Sequence, residues 1–294
     1  MPSPQRRSRR EIIVDGITAA LVALAVLTLV GVLLNFVARD GLGRGKRVGL
    51  VEVTGVISDA ERVNGQLRYF AAAENVPVIL LRIDSPGGSV GAAQEIHRQV
   101  GLTRERGIRV IASMGSVAAS GGYYIAVAAD TIVANPGTIT GSIGVIAEFT
   151  QADTLLKKIG LAFNVIKSGR YKDTGSPFRP MRRDEVLQVQ SVVDDAYDQF
   201  LAVVSTARNI PLESLRPLAQ GQVFTGRMAR DLGLVDTLGN YDDAVRIARR
   251  SAGLSEEARV VRAPAAEKSL VERLLGGIAE MREGPSVTVS YRMP

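Results

Sequence analysis

The chain has 294 residues, 46% of them hydrophobic and 22% charged, which is too apolar for a disordered polymer and long enough for one or two domains. It has no cysteine and one histidine, His97, which excludes disulfides, thiol catalysis, cysteine-ligated zinc, three-histidine zinc sites and the H-E-x-x-H motif. The net charge of +6 is concentrated at the start: residues 1–47 carry +5 and residues 48–294 only +1, so the body lacks the basic field of a nucleic-acid enzyme and no nucleic-acid partner is expected.

Arg6, Arg7, Arg9 and Arg10 precede a 23-residue run, Gly16 to Ala38, with no charged side chain. As a helix such a run covers about 30 Å of hydrocarbon, so residues 16–38 are predicted to span a membrane and contact lipid. The apolar core is long for a signal peptide, and Asn35-Phe36-Val37-Ala38-Arg39 is a poor cleavage site, which favours an uncleaved anchor. Four Lys/Arg stand before the span (6, 7, 9, 10) and four soon after it (39, 44, 46, 47), so charge alone does not orient it. Residues 1–15 form a basic N-terminus and residues 39–47 a linker.

Val48–Ile57 reads as a strand, Glu61–Ala73 as a helix and Val78–Ile83 as a buried strand, broken at Asp84-Ser85-Pro86-Gly87-Gly88. Ser89 is placed to cap a helix to about Glu105. A strand over Arg109–Met114 leads through Gly115-Ser116 to a small-residue helix, Ala118–Ala128. Thr131–Ala134, Ser142–Ala147 and Phe163–Ile166 read as strands, and Asp153–Ile159 as a helix. Alternating strands and helices at this spacing argue for a largely parallel sheet with covering helices. Met181–Arg208 is a long amphipathic helix striped by Val186, Val189, Val193, Tyr197, Phe200 and Val204. Leu212–Ala219, Thr225–Leu232 and Tyr241–Ala252 are shorter helices, closing an α/β body over residues 48–258. Residues 259–294 read as a loose tail with an amphipathic segment at Ser269–Met281.

Three glycine-rich turns follow buried strands. At Asp84–Ser89 a glycine pair opens a helix, which suits either an anion or oxyanion at exposed N–H groups or merely a tight turn. It lacks both the G-K-[ST] of a phosphate loop and the G-x-G-x-x-G spacing. In the second turn Ser120 sits among Ala119, Gly121 and Gly122, residues too small to shield it; a nucleophile and plain close packing both fit. Thr140-Gly141-Ser142-Ile143-Gly144-Val145 is the third. His97 lies mid-helix beside Arg98 with no carboxylate to orient it, so it reads as a packing or surface residue. A serine nucleophile without a usable histidine needs another base, and a lysine serves if burial or a positive neighbour leaves it neutral. Lysines near Gly169 are ordinarily solvated, so the local sequence leaves both readings open.

Arg82-Ile83-Asp84-Ser85-Pro86-Gly87-Gly88, Ala119-Ser120-Gly121-Gly122-Tyr123-Tyr124, Thr140-Gly141-Ser142-Ile143-Gly144-Val145 and Ser168-Gly169-Arg170-Tyr171-Lys172-Asp173 together closely resemble the signal peptide peptidase A family. The similarity covers roughly residues 48–250, including Gly221–Gly226 and Gly233–Asp236. The resemblance implies a serine–lysine peptidase with a Clp protease/crotonase-like fold. It matches Ser120 to the nucleophile, Lys172 to the general base, and Ser142 to the second serine that holds the lysine. Gly87 matches the oxyanion-hole donor, flanked by Gly88, with Gly121 as a further donor; Met114, Ile143 and Val145 are expected to line the substrate pocket. Family resemblance also implies peptide substrates, apolar with a small residue at the cut, such as remnant signal peptides. It implies a homo-oligomer in which the lysine reaches a neighbouring protomer's serine, and an N-terminus inside the cell membrane with the body outside. No metal or cofactor is implied. A neutral lysine base predicts activity rising from neutral into alkaline pH.

Three other readings share part of this pattern. A crotonase-type acyl-thioester enzyme shares the oxyanion turn, but nothing marks an adenine or pantetheine site. A silent membrane scaffold of the same fold has no need of intact Ser120, Ser142 and Lys172. A related serine–lysine protease that cuts hydrophobic parts of membrane proteins would use the same dyad.

Overall fold

The computed structural model describes residues 18–32, 45–264 and 289–292. The chain divides into two units, residues 1–46 and residues 47–294. In the first, residues 18–32 are helical (α1), with Leu21, Leu24, Leu27 and Leu29 exposed. Among the described residues no helix is long and apolar enough to cross a membrane. The rest of the expected span, residues 16–17 and 33–38, lies outside the described residues, as does the amphipathic segment expected at 269–281.

The second unit runs β1 (Val48–Thr54), α2 (Glu61–Ala71), β2 (Val78–Ser85), β3 (Gly87–Ser89), α3 (Val90–Glu105), β4 (Arg109–Ala119), α4 (Gly121–Ala126), β5 (Thr131–Ala134), β6 (Ile139–Gly141) and β7 (Ile146–Ala147). It continues with α5 (Asp153–Lys158), α6 (Arg183–Arg208), α7 (Leu212–Leu215), a 3-10 turn at Arg216–Leu218, β8 (Val223–Thr225), α8 (Gly226–Asp231), β9 (Thr237–Leu238), α9 (Tyr241–Ser251), β10 (Val260–Arg262) and β11 (Val289–Arg292). The main sheet has the order β10-β1-β2-β4-β5-β9, all parallel, with β6 parallel to β4 and β8 antiparallel to β6.

Burial on both faces explains the unbroken apolar run of β2. Val78 and Leu80 face α9, where they meet Ala244, Val245 and Ala248. Ile79, Leu81 and Ile83 face the other way, into a larger core with Leu67, Phe70, Ile96 and Phe200. Each fully buried aliphatic side chain of this kind contributes about 1.5–3 kcal/mol. Gly49 in β1 is required by that packing, since a Cβ there would stand 2.9 Å from the Phe70 ring.

The structure corrects several predicted elements. The strand expected over Arg109–Met114 runs on to Ala119, because Val117, Ala118 and Ala119 pair with β6; the helix expected from Ala118 therefore starts only at Gly121. Phe163–Ile166 forms no strand: it pairs with no other segment among the described residues, and Phe163, Val165 and Ile166 are exposed, the last completely. The strand expected over Ser142–Ala147 is reduced to Ile146–Ala147. Ser89 precedes α3, but its side chain makes no capping bond. Burial of the stripe on α6 increases along the helix: Val186 is exposed, Val189, Val193 and Tyr197 are half-buried, and Phe200 and Val204 are buried. Beyond 258, residues 260–262 form β10 on the sheet edge and residues 289–292 form β11 in a second, three-stranded sheet β3-β11-β7.

Candidate active site

The two small-residue turns meet because β4 and β6 run parallel in register. Ala118 pairs with Thr140 and Ala119 with Gly141, so Ser120 and Ser142 leave the two strands at the same level. Thr140 reinforces the pairing through its hydroxyl, which donates to the Ala118 carbonyl at 2.7 Å. The Ser120 N–H donates to the Gly141 carbonyl at 2.8 Å, and the Ser142 N–H to the Gln222 carbonyl at 2.9 Å.

Both serines hold positive φ. Ser120 has φ 55° and ψ −117°, and Ser142 has φ 49°. Such a backbone costs a non-glycine residue about 1–3 kcal/mol and persists only where the surroundings impose it. Ser120 is 1% exposed, and its Oγ is buried without a hydrogen-bond partner among the described residues. A strained, unpaired hydroxyl in a tight strand-to-helix turn suits a nucleophile awaiting a base.

The oxyanion turn packs directly beside it. A Cβ on Gly122 would lie 2.9 Å from the Ser85 carbonyl oxygen, so α4 comes in close because residue 122 has no side chain. Gly87 takes φ 102°, which only glycine adopts readily, and its N–H donates to Ser85 Oγ at 3.1 Å. Gly88 is equally constrained: a Cβ would stand 2.1 Å from the Ile57 carbonyl oxygen. Gly121 is buried at the start of α4. Ser85 is a participant that sequence reasoning missed; the signal was a hydroxyl two residues before a glycine that must turn. Asp84, likewise missed, accepts from the Val117 N–H at 3.0 Å and packs over Gly115.

Strand β11 lies between β3 and β7, antiparallel to both. Ser290 is opposite Ser89, Tyr291 opposite Gly88 and Arg292 opposite Gly87, while Val289 and Ser290 pair with Ala147 and Ile146. An extended segment of polypeptide thus runs along the glycine turn and ends beside it, with α4 packed alongside. Nothing local in the sequence announced this, because the pairing joins residues about two hundred positions apart.

The expected pocket residues separate. Val145 lines a cavity of about 360 Å³ with Ser142, Gln190, Asp194, Tyr197 and Gln220. Met114 and Ile143 do not share that lining; they are buried in the hydrophobic core beneath the site, at 1% and 0% exposure. His97 packs its ring 5.0 Å from Tyr124, and burial followed by the charge of Arg104 lowers its pKa. It is a packing residue.

Lys172 is exposed, and among the described residues no hydrogen bond joins it to Ser120. The neighbouring Lys167 pairs instead with Asp173. Within a single chain, then, the structure brings Ser120, Ser142, Gly87, Gly88 and Gly121 together and leaves Lys172 facing solvent. No group of histidine, aspartate or glutamate side chains suited to a metal ion occurs among the described residues.

Comparison with known proteins agrees with this geometry. Residues 103–255 match the model of peptidase family S49, and residues 50–138 match that of Clp protease. A putative protease of Synechocystis is 42% identical over 81% of this chain and 86% of its own length. A putative signal peptide peptidase SppA of Enterococcus faecium is 32% identical over 76% of this chain and 69% of its own. Protease 4 of Salmonella typhi is 34% identical over 72% of this chain, which spans 36% of that longer protein.

Proposed function

The chain belongs to peptidase family S49 and is a serine protease with a Clp protease-like α/β domain, and from that premise we propose a membrane-anchored endopeptidase with Ser120 as nucleophile and Lys172 as general base. The observation that carries this reading is β11: an extended peptide segment fits between β3 and β7 and reaches Gly87, as a substrate strand must.

In the proposed reaction neutral Lys172 takes the Ser120 proton as Oγ attacks the scissile carbonyl. The negative charge that develops on the carbonyl oxygen is met by backbone N–H groups of Gly87 and Gly121. The Gly87 N–H exchanges its neutral acceptor, Ser85 Oγ, for this charged and stronger one. The tetrahedral intermediate collapses as protonated Lys172 delivers its proton to the leaving amine. Water, deprotonated by Lys172, then attacks the acyl group, and protonated Lys172 returns the proton to Ser120 Oγ as the ester bond breaks. Ser142, level with Ser120, holds the lysine amine in line.

Lys172 serves the serine of a neighbouring protomer in this reading. Its exposure supports that, as do the exposed apolar side chains near it in sequence, Leu161, Phe163, Val165 and Ile166, and those on the open half of α6. Residues 16–38 anchor the chain with the N-terminus in the cytoplasm and the body outside the cell membrane. Substrates are apolar peptides with a small residue at the cut, remnant signal peptides among them.

The test is cleavage of an apolar peptide library by the full chain in detergent, alongside Ser120→Ala and Lys172→Ala. Loss of cleavage by several orders of magnitude in both, with oligomer size unchanged, is expected. Full activity in either variant overturns the assignment.

A further inference from the structure

The loop that carries Lys172 is tied down on both sides of that residue, and most of the ties converge on one guanidinium. Arg179 Nε donates to Asp173 Oδ2 at 2.9 Å, and Nη2 donates to the Asp173 backbone carbonyl at 3.2 Å. The same group reaches Glu185, Nη1 to Oε2 at 2.8 Å and Nη2 to Oε1 at 2.5 Å. Glu185 is fully buried in the first turn of α6, where it also accepts from the Arg182 N–H at 2.8 Å. On the other side of Lys172, Arg182 Nη2 donates to the Arg170 carbonyl at 2.9 Å. Residues 170 and 173 are thus both pinned to the start of α6, and Lys172 projects into solvent between them.

The network also disposes of a charge. Asp173 directly follows Lys172, and a free carboxylate there would stabilise the ammonium form, the wrong direction for a base. Its carboxylate is instead occupied by Arg179 and Lys167. Those two cations hold the Asp173 carboxyl far below the usual carboxylate range, Arg179 having the larger effect. The other charged groups around the loop are matched as well. Asp184 pairs with Arg170 at 2.8 Å and Arg182 at 3.3 Å. Just before α5, Phe149 lies against Gly175 and the Ala152 N–H donates to the Pro177 carbonyl, and at the start of α5 Asp153 is held by Gln151 and Lys157.

We propose that Arg179 is a positioning residue for catalysis: by bridging Asp173 to the buried Glu185 it sets the reach of Lys172 and keeps the Asp173 carboxylate from it. This inference rests on Lys172 being the general base. It assigns a function to an arginine seven residues away that touches no reacting atom.

Charge and geometry separate in a set of full-length variants, each checked for oligomer size and melting temperature. Steady-state peptide cleavage is followed from pH 6 to pH 11. Arg179→Met leaves Asp173 paired with Lys167 but without its stronger partner, so the midpoint of the alkaline rise in kcat/KM is expected to move up by about one pH unit. Its plateau kcat is expected to fall about ten- to a hundredfold with KM nearly unchanged, as a misplaced catalytic group does. Adding Asp173→Asn to that variant returns the midpoint but not kcat. Arg179→Lys keeps the charge but not the two-carboxylate bridge, so its midpoint stays at the wild-type value while kcat drops. If Arg179→Met does not fold, Arg179→Lys alone decides. Wild-type kcat and midpoint in a folded Arg179 variant overturn the positioning role while leaving Lys172 as base. Wild-type activity in Lys172→Ala overturns both.

Discussion

Ser120 and Ser142 stand side by side at the ends of two paired parallel strands, and each carries a φ near +50° that a serine adopts only under constraint. Strain at both positions means the site is held by the structure around it. Ser120→Gly and Ser142→Gly each relieve it. Both variants are expected to melt at or above the wild-type temperature, despite the backbone freedom that glycine adds, while Ser120→Gly loses activity. Thermal denaturation with a parallel cleavage assay checks this; a fall in melting temperature of more than a few degrees would contradict imposed strain.

If the lysine of one protomer serves the serine of the next, two dead subunits can repair each other. Ser120→Ala and Lys172→Ala chains, each inactive alone, are expected to regain a substantial fraction of wild-type activity when co-expressed and co-purified. Dyads confined to single chains would leave every mixture inactive.

The glycine turn tolerates no side chain. Gly88→Ala drives a Cβ into the Ile57 carbonyl, a backbone atom that cannot swing aside. Expected are a destabilisation of about 2–4 kcal/mol and loss of cleavage, read from denaturant unfolding and the peptide assay. Gly91→Ala meets open space and is the matched control, with stability at or above wild type.

Hydrogen bonds from Arg179 first, then from the Arg182 N–H, with the charges of both arginines, hold the pKa of the Glu185 carboxyl down at about 2. A depressed carboxylate stabilises the fold above its unfolded pKa and loses that contribution as pH falls through the folded one. Glu185→Gln is therefore expected to melt below wild type at pH 7, with the gap closing between about pH 4.5 and pH 2. A gap constant over that window would assign the loss to packing alone.

With β11 in the groove, removal of residues 289–294 is expected to lower KM for peptides severalfold and leave kcat near wild type. An unchanged KM would show that the tail does not compete with substrate.

Elements whose burial is settled within one sheet were legible in the sequence. Val78–Ile83 declared itself because both its faces are covered, and Gly87 because the chain turns sharply there. Phe163–Ile166 has the composition of a strand, yet among the described residues it pairs with no other strand, and composition cannot supply a partner. The Ala118–Ala128 segment misled because Ala and Gly suit a strand packed against its neighbour as well as a helix; pairing with Ile139–Gly141 decided the matter. In the site, Ser120, Ser142 and Lys172 stood out through family resemblance, whereas Arg179 and Glu185 look like ordinary charged residues until their side chains are seen to close on Asp173. The strand at Val289–Arg292 depended on a contact too distant for any local pattern to signal.

That strand occupies, from within the chain, the place where a substrate strand is proposed to lie. Because it belongs to the same chain, its competition sets a threshold that dilution of the protein does not lower. A free peptide must exceed that threshold, scaled by its relative affinity, before it is cut. On the proposed reading, cleavage then favours peptides present at high local concentration as well as those of suitable sequence.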